Sequence, residues 1–121
     1  MGKRILIVDD SASVRQVAGM ALARAGYEVV EAVDGQDAVD KLAGKIHLII
    51  SDVNMPRMDG IGFLKAVKAH PSYKFTPVIM LTTEAGEDMK NEGRSAGAKA
   101  WITKPFQPQT LLDAVSKLVL A

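Results

Sequence analysis

Three runs in this chain, RILIV (4–8), IHLIIS (46–51) and PVIMLT (77–82), are almost continuously apolar over the length of a strand. Such strands have no polar face to offer water. They are stable where parallel strands are joined by helices that cover both sides of a sheet. That requirement excludes most all-β and all-α arrangements before any other residue is considered.

The segments between these runs supply the helices. Val14, Val17, Ala18, Ala21, Leu22 and Ala25 repeat with helical spacing, with Ser11 as N-cap and Gly26 as stop. YEVVEA (27–32) alternates and predicts a less buried strand near a sheet edge. Asp34 is expected to cap a second helix that carries Ala38, Val39 and Leu42 and closes at Gly44. The turn DVNMPRMDG contains the breakers Pro56 and Gly60, and a third helix with Ile61, Leu64 and Val67 stops before Pro71. A fourth helix over 85–96 is predicted to be weak, because Gly86 and Gly93 each cost about 1 kcal/mol against alanine in a helix interior. KAWIT (99–103) is a short fifth strand, and the last helix starts near Pro108 with Leu111, Leu112, Val115, Leu118 and Val119 inward. The order is (βα)₅, one domain over residues 1–121, with right-handed crossovers placing helices on both faces.

Composition removes several functional classes. The 121 residues suit one domain, and 48% hydrophobic content supports a core. A net charge of +1 with no basic block argues against nucleic acid or an anionic membrane as partner. No cysteine means no disulfide, thiolate nucleophile or zinc-thiolate site. The start MGKRILIVDD has too short an apolar run for a signal peptide, so a cytoplasmic setting is expected.

In open parallel sheets, ligands bind beyond the carboxyl ends of the strands. Here the first strand leads into Asp9 and Asp10, the third into Asp52, the fourth into Thr82, and the fifth into Thr103 and Lys104. Three neighbouring carboxylates repel, each like-charge pair at about 4 Å costing on the order of 4 kcal/mol at an effective dielectric of 20. Lys104 offsets part of this. A hard, all-oxygen site with no cysteine or nearby histidine suits Mg2+. Singly, an aspartate after a strand is more often a cap or turn former, as expected for Asp59 before Gly60. Five such positions at four strand ends have no economical structural explanation. His47 falls about 16 Å from Asp52 at strand rise, toward the other end of the sheet, and His70 stands at a helix terminus. Neither is expected to be functional.

ILIVDDS, IISDVNMPRMDG, VIMLTT and WITKPF together resemble the receiver domain of two-component response regulators, over essentially the whole chain. The similarity is strongest to stand-alone chemotaxis receivers. The resemblance implies a flavodoxin-like fold with a five-stranded parallel sheet of order 2-1-3-4-5. It implies that Asp52 is the phospho-acceptor, charged by a CheA-like histidine kinase, with weak autodephosphorylation. Asp10 and Asp52 would bind Mg2+ directly, Asp9 through water, and Asn54 through its backbone carbonyl. Thr82 and Lys104 would meet the phosphoryl oxygens, and the Lys104–Pro105 bond would be cis. Thr82 and Trp101 would form the switch, Trp101 standing where the family more often has Tyr or Phe. Asn54 and Glu84 would set phosphoryl lifetime. The fourth helix, fifth strand and fifth helix would form the face for a flagellar-motor switch protein or another target, with a phosphatase as a further partner. A monomer is expected. The alternative within the family is a phosphorelay intermediate or phosphate sink.

Two other classes share parts of this pattern. A flavodoxin-type electron carrier needs a Ser/Thr/Gly-rich phosphate loop where this chain has two acids. A haloacid-dehalogenase-type phosphatase needs DxD spacing, which VDDS lacks, and a cap domain.

Overall fold

The computed structural model describes residues 2–83 and 86–120. In chain order the elements are β1 (Arg4–Val8), α1 (Ala12–Arg24), β2 (Glu28–Ala32), α2 (Gly35–Asp40), β3 (Leu48–Ser51), α3 (Gly60–Ala69), β4 (Val78–Thr82), α4 (Glu87–Ser95), β5 (Ala100–Thr103) and α5 (Pro108–Leu118). The five strands form one sheet in the order β2-β1-β3-β4-β5, and every neighbouring pair is parallel.

Strand alternation divides the core into two layers. Leu6, Val8, Ile49, Val78 and Met80 face one side, where Phe63, Leu64 and Val67 of α3 pack with Ala38 of α2. Ile5, Ile7, Leu48, Ile50, Ile79 and Leu81 face the other, against Ala18 and Leu22 of α1 and Leu111 and Val115 of α5. The central strands β1, β3 and β4 are therefore apolar on both faces. The alternating β2 lies at an edge and exposes Glu28 and Glu31.

Capping follows the sequence at several ends. Ser11 accepts the Val14 N–H, Asp34 accepts that of Asp37, and Asp59 accepts that of Gly62. Gly26 follows the end of α1 with φ +96°.

Several boundaries differ from the sequence expectation. α2 ends at Asp40, not at Gly44, so Leu42 packs on the core from beyond the helix. β3 begins at Leu48, although the His47 N–H already donates to the Arg4 carbonyl at the amino edge. In α4 the described helix runs from Glu87 and buries only Gly93. Val119, expected in the last helix, is the C-cap of α5. Ala85, the expected start of the fourth helix, lies outside the described residues, as does Glu84. Among the described residues, no helix is long and apolar enough to cross a membrane.

Candidate functional site

Backbone ladders carry the charged residues to the carboxyl edge of the sheet. The pairing of β1 with β2 continues one residue past Val8, where Asp9 N–H donates to the Ala32 carbonyl at 3.1 Å. In the same way Asp52 N–H reaches Val8 O at 2.9 Å, and Lys104 N–H reaches Thr82 O at 2.8 Å. Positions dictated by strand register thus place side chains 43 and 52 residues apart beside one another.

Oxygens from Asp9, Asp10 and Asp52 all lie within 4.8 Å of one another. At that distance each like-charge pair is worth about 3 kcal/mol of repulsion at an effective dielectric of 20. Asp9 is 1% exposed and Asp52 7%, whereas Asp10 is open to solvent. Lys104 Nζ donates to Asp9 Oδ2 at 2.7 Å and to Asp52 Oδ2 at 3.1 Å, bridging the two buried acids. Asp9 Oδ1 accepts the Ser11 N–H at 2.9 Å, and Asp52 Oδ1 accepts the Val53 N–H at 2.7 Å.

Burial lifts the Asp9 carboxyl above its ordinary range, and the nearby Asp52 adds to this. The bonds from Lys104 and Ser11 only partly oppose it. Burial pulls Lys104 down, but its bonds to Asp9 and Asp52 outweigh that and hold it above its usual value. One ammonium against three carboxylates leaves two negative charges over. Three carboxylates with one member open to water fit a hard divalent cation of the Mg2+ type, and the donor set contains no soft ligand.

The loop after Asp52 is tightly folded. Gly60 N–H donates to Val53 O at 2.7 Å, and a side chain at Gly60 would collide with the Asp52 carbonyl. The Gly of the DG pair is therefore fixed by close approach to the site. Asn54 sits exposed in this loop, two residues past Asp52.

Thr82 ends β4 fully buried, paired with Thr103. By alternation it shares the α3 side of the sheet with Met80, whose partner on β5 is Trp101. Trp101 is half-buried and packs on that same layer. The Lys104–Pro105 peptide bond is cis. The two histidines stand apart: His47 Nδ1 accepts the Arg4 N–H at the amino edge, and His70 Nδ1 accepts that of Ser72 after α3. The site expectation for Glu84 lies outside the described residues.

Sequence reasoning missed two supporting arginines. Arg15 Nη1 donates to the Asp9 carbonyl at 2.6 Å while its Nε reaches Glu31 at 3.2 Å, fixing the turn that presents Asp9 and Asp10. Its signal was available, as an arginine one turn past the N-cap of a helix that begins beside two acids. Arg57 bonds Asp34 from the turn between β3 and α3, a pairing that only the fold reveals.

Comparison with known proteins agrees with this geometry. The sequence profile of the response regulator receiver domain matches residues 5–116. Chemotaxis protein CheY1 of Helicobacter pylori is 40% identical over 113 residues, 91% of either chain. Protein PilG of Pseudomonas aeruginosa is 37% identical over 115 residues, covering 94% of this chain and 85% of its own. The crystal structure of Vibrio cholerae chemotaxis protein CheY4 superposes with a TM-score of 0.92 at 47% identity, covering 98% of this chain and 99% of that one. With the β2-β1-β3-β4-β5 sheet and the acidic edge bridged by Lys104, these similarities show that the chain belongs to the response regulator receiver domain family.

Proposed function

We propose that this receiver accepts a phosphoryl group on Asp52 from a histidine kinase and signals in chemotaxis. The observation that carries the reading is the Lys104 bridge. An ammonium held against Asp9 and Asp52, at the rim of an acidic cluster, is set where it can also meet a phosphoryl oxygen on Asp52. Asp10 and Asp52 would hold Mg2+ directly, with the Asn54 backbone carbonyl. Asp9, as in the receiver family the chain belongs to, would act through water. When bound, the ion supplies positive charge against the oxygens of the transferring group.

Asp52 is the nucleophile in this scheme. One of its carboxylate oxygens forms the bond to phosphorus while the P–N bond of the donor phosphohistidine breaks, the electron pair leaving with the imidazole nitrogen. Lys104 stays beside the acceptor and offsets the added charge. Thr82, buried at the adjoining strand end, donates its hydroxyl to a phosphoryl oxygen. Attack by water on phosphorus later restores the carboxylate and releases inorganic phosphate. Asn54, exposed beside the acceptor, helps set the rate of that loss, and Glu84 is assigned the same role.

Trp101 reports the state of Thr82 to the surface formed by α4, β5 and α5. Between α4 and β5 a groove of about 100 Å³ is lined by Lys90, Arg94, Lys99 and Trp101. The lining is basic while Glu87, Asp88 and Glu92 expose acidic groups on the same helix, and a flagellar-motor switch protein is the proposed target of this mixed face. A cytoplasmic, monomeric protein is part of this reading.

Incubation with Mg2+ and acetyl phosphate, followed by mass spectrometry of the intact protein, tests the assignment. A phosphoryl mass gain is expected in wild type and none in Asp52→Asn. An undiminished gain in Asp52→Asn would refute it.

A further inference from the structure

The loop between β3 and α3 carries Asp52 at its start and Asn54 shortly after, yet its middle is conformationally demanding. Arg57 has φ +65°, the left-handed region that a non-glycine residue seldom occupies. Met58 N–H donates to Pro56 O at 2.8 Å, closing a three-residue turn centred on Arg57. The loop's ends are tied by the Gly60 N–H bond to Val53 O, and Met55 and Met58 pack on the core, while Asn54, Pro56, Arg57 and Asp59 are exposed.

The turn around Arg57 is further restrained by the neighbouring turn between β2 and α2. Arg57 grips Asp34 with a two-pronged contact, Nε to Oδ2 at 2.7 Å and Nη2 to Oδ1 at 3.0 Å. The next residue, Gly35, donates its N–H to the Met58 carbonyl at 3.1 Å. Asp34 is only 4% exposed and also caps α2 through the Asp37 N–H at 2.8 Å. A planar guanidinium on a carboxylate fixed by a helix cap has little freedom, unlike most surface ion pairs. The bonds from Arg57 and the Asp37 N–H hold the Asp34 carboxyl below the usual carboxylate range.

We propose that Arg57 and Asp34 are positioning residues for the cation site: their fork straps the loop to the start of α2 and so pre-sets the Asn54 carbonyl for a divalent ion. This rests on the metal-binding reading above. Neither residue belongs to the carboxylate cluster, and both act through the backbone between them and Asn54. Residues that orient metal ligands are commonly worth 10- to 100-fold in affinity.

The charge of Arg57 makes the test decisive. Removing a positive charge near a cation site should by electrostatics alone tighten cation binding, whereas loss of positioning weakens it. Arg57→Gly also relieves the left-handed backbone, so the fold is not penalised by strain. Mg2+ titration by calorimetry on the unphosphorylated protein is expected to give a Kd about 10-fold weaker in Arg57→Gly. Asp34→Asn, which keeps a good N-cap residue, should weaken binding similarly, and the double variant should be no worse than either single one. Melting in EDTA reads the stability lost by leaving Asp34 without Arg57, and Mg2+ titrations run well below each variant's melting temperature separate positioning from general destabilisation. Unchanged or tighter Mg2+ binding in Arg57→Gly would overturn the inference. Binding that is indifferent to Asp10→Asn would instead remove the metal site itself, and the inference with it.

Discussion

Gly93→Ala offers a sign test of how α4 is seated. Gly93 is the buried residue of α4, and a Cβ built on it would lie 2.7 Å from Trp101 Cζ3 and 3.3 Å from Cε3. Carbon atoms settle at about 3.5–4.0 Å, so helix and indole must separate by roughly 1 Å. Ile61 Cδ1, at 3.7 Å from the same point, leaves no room on that side. Overpacking of this kind costs about 1–3 kcal/mol. Against it stands the gain of about 1 kcal/mol from replacing glycine by alanine inside a helix. The variant should therefore be neutral to about 2 kcal/mol less stable, where an unpacked helix would gain about 1 kcal/mol. Urea denaturation followed by circular dichroism measures the difference. Trp101 is the protein's one tryptophan, so its emission reports the displacement directly. A red shift and faster acrylamide quenching are expected as the indole is pushed toward solvent. A variant stabilised by the full helix-propensity gain, with an unchanged emission spectrum, would refute the seating.

Two further perturbations address charge. Lys104→Met strands Asp9 and Asp52 without their shared cation. Breaking a buried pair in this way costs about 3–5 kcal/mol, and the solvent-open side of this site reduces that to about 2–3 kcal/mol at neutral pH. Urea midpoints should fall accordingly and recover in part with added Mg2+, whereas a loss insensitive to the ion would contradict the electrostatic account. His47 is lowered from its ordinary value of 6.5, first by burial and then by the nearby charges of Lys45 and Lys3. Its Nδ1 must be unprotonated to accept the Arg4 N–H at 2.9 Å. The folded state thus binds the proton less readily than the unfolded chain, so this contribution is complete above pH 6.5 and is lost as pH falls below it. Urea midpoints measured from pH 7.5 down to 5.5 should decline in wild type and decline less in His47→Asn, which keeps an acceptor but no titrating group.

What the sequence made legible was whatever depends on periodicity and on strand ends. RILIV, IHLIIS and PVIMLT announced central strands because burial on both faces leaves no room for polar alternation, and those runs contain β1, β3 and β4. The carboxylates and Lys104 were legible for the same reason, since a residue one step past a parallel strand has nowhere to go but the carboxyl edge. Contacts between turns were not legible, because nothing in local pattern says which turn lies beside which. Asp34 reads as a helix cap, and nothing pairs it with Arg57 until sheet order puts β2 beside β1 and β1 beside β3. Gly93 is the instructive middle case. Helix propensity registered it only as a weakness in α4, whereas the indole against it shows that the missing side chain is what lets the helix and Trp101 meet. A residue that breaks a local rule without local compensation marks a long-range contact, and here that contact joins the helix to the aromatic residue proposed to report on Thr82.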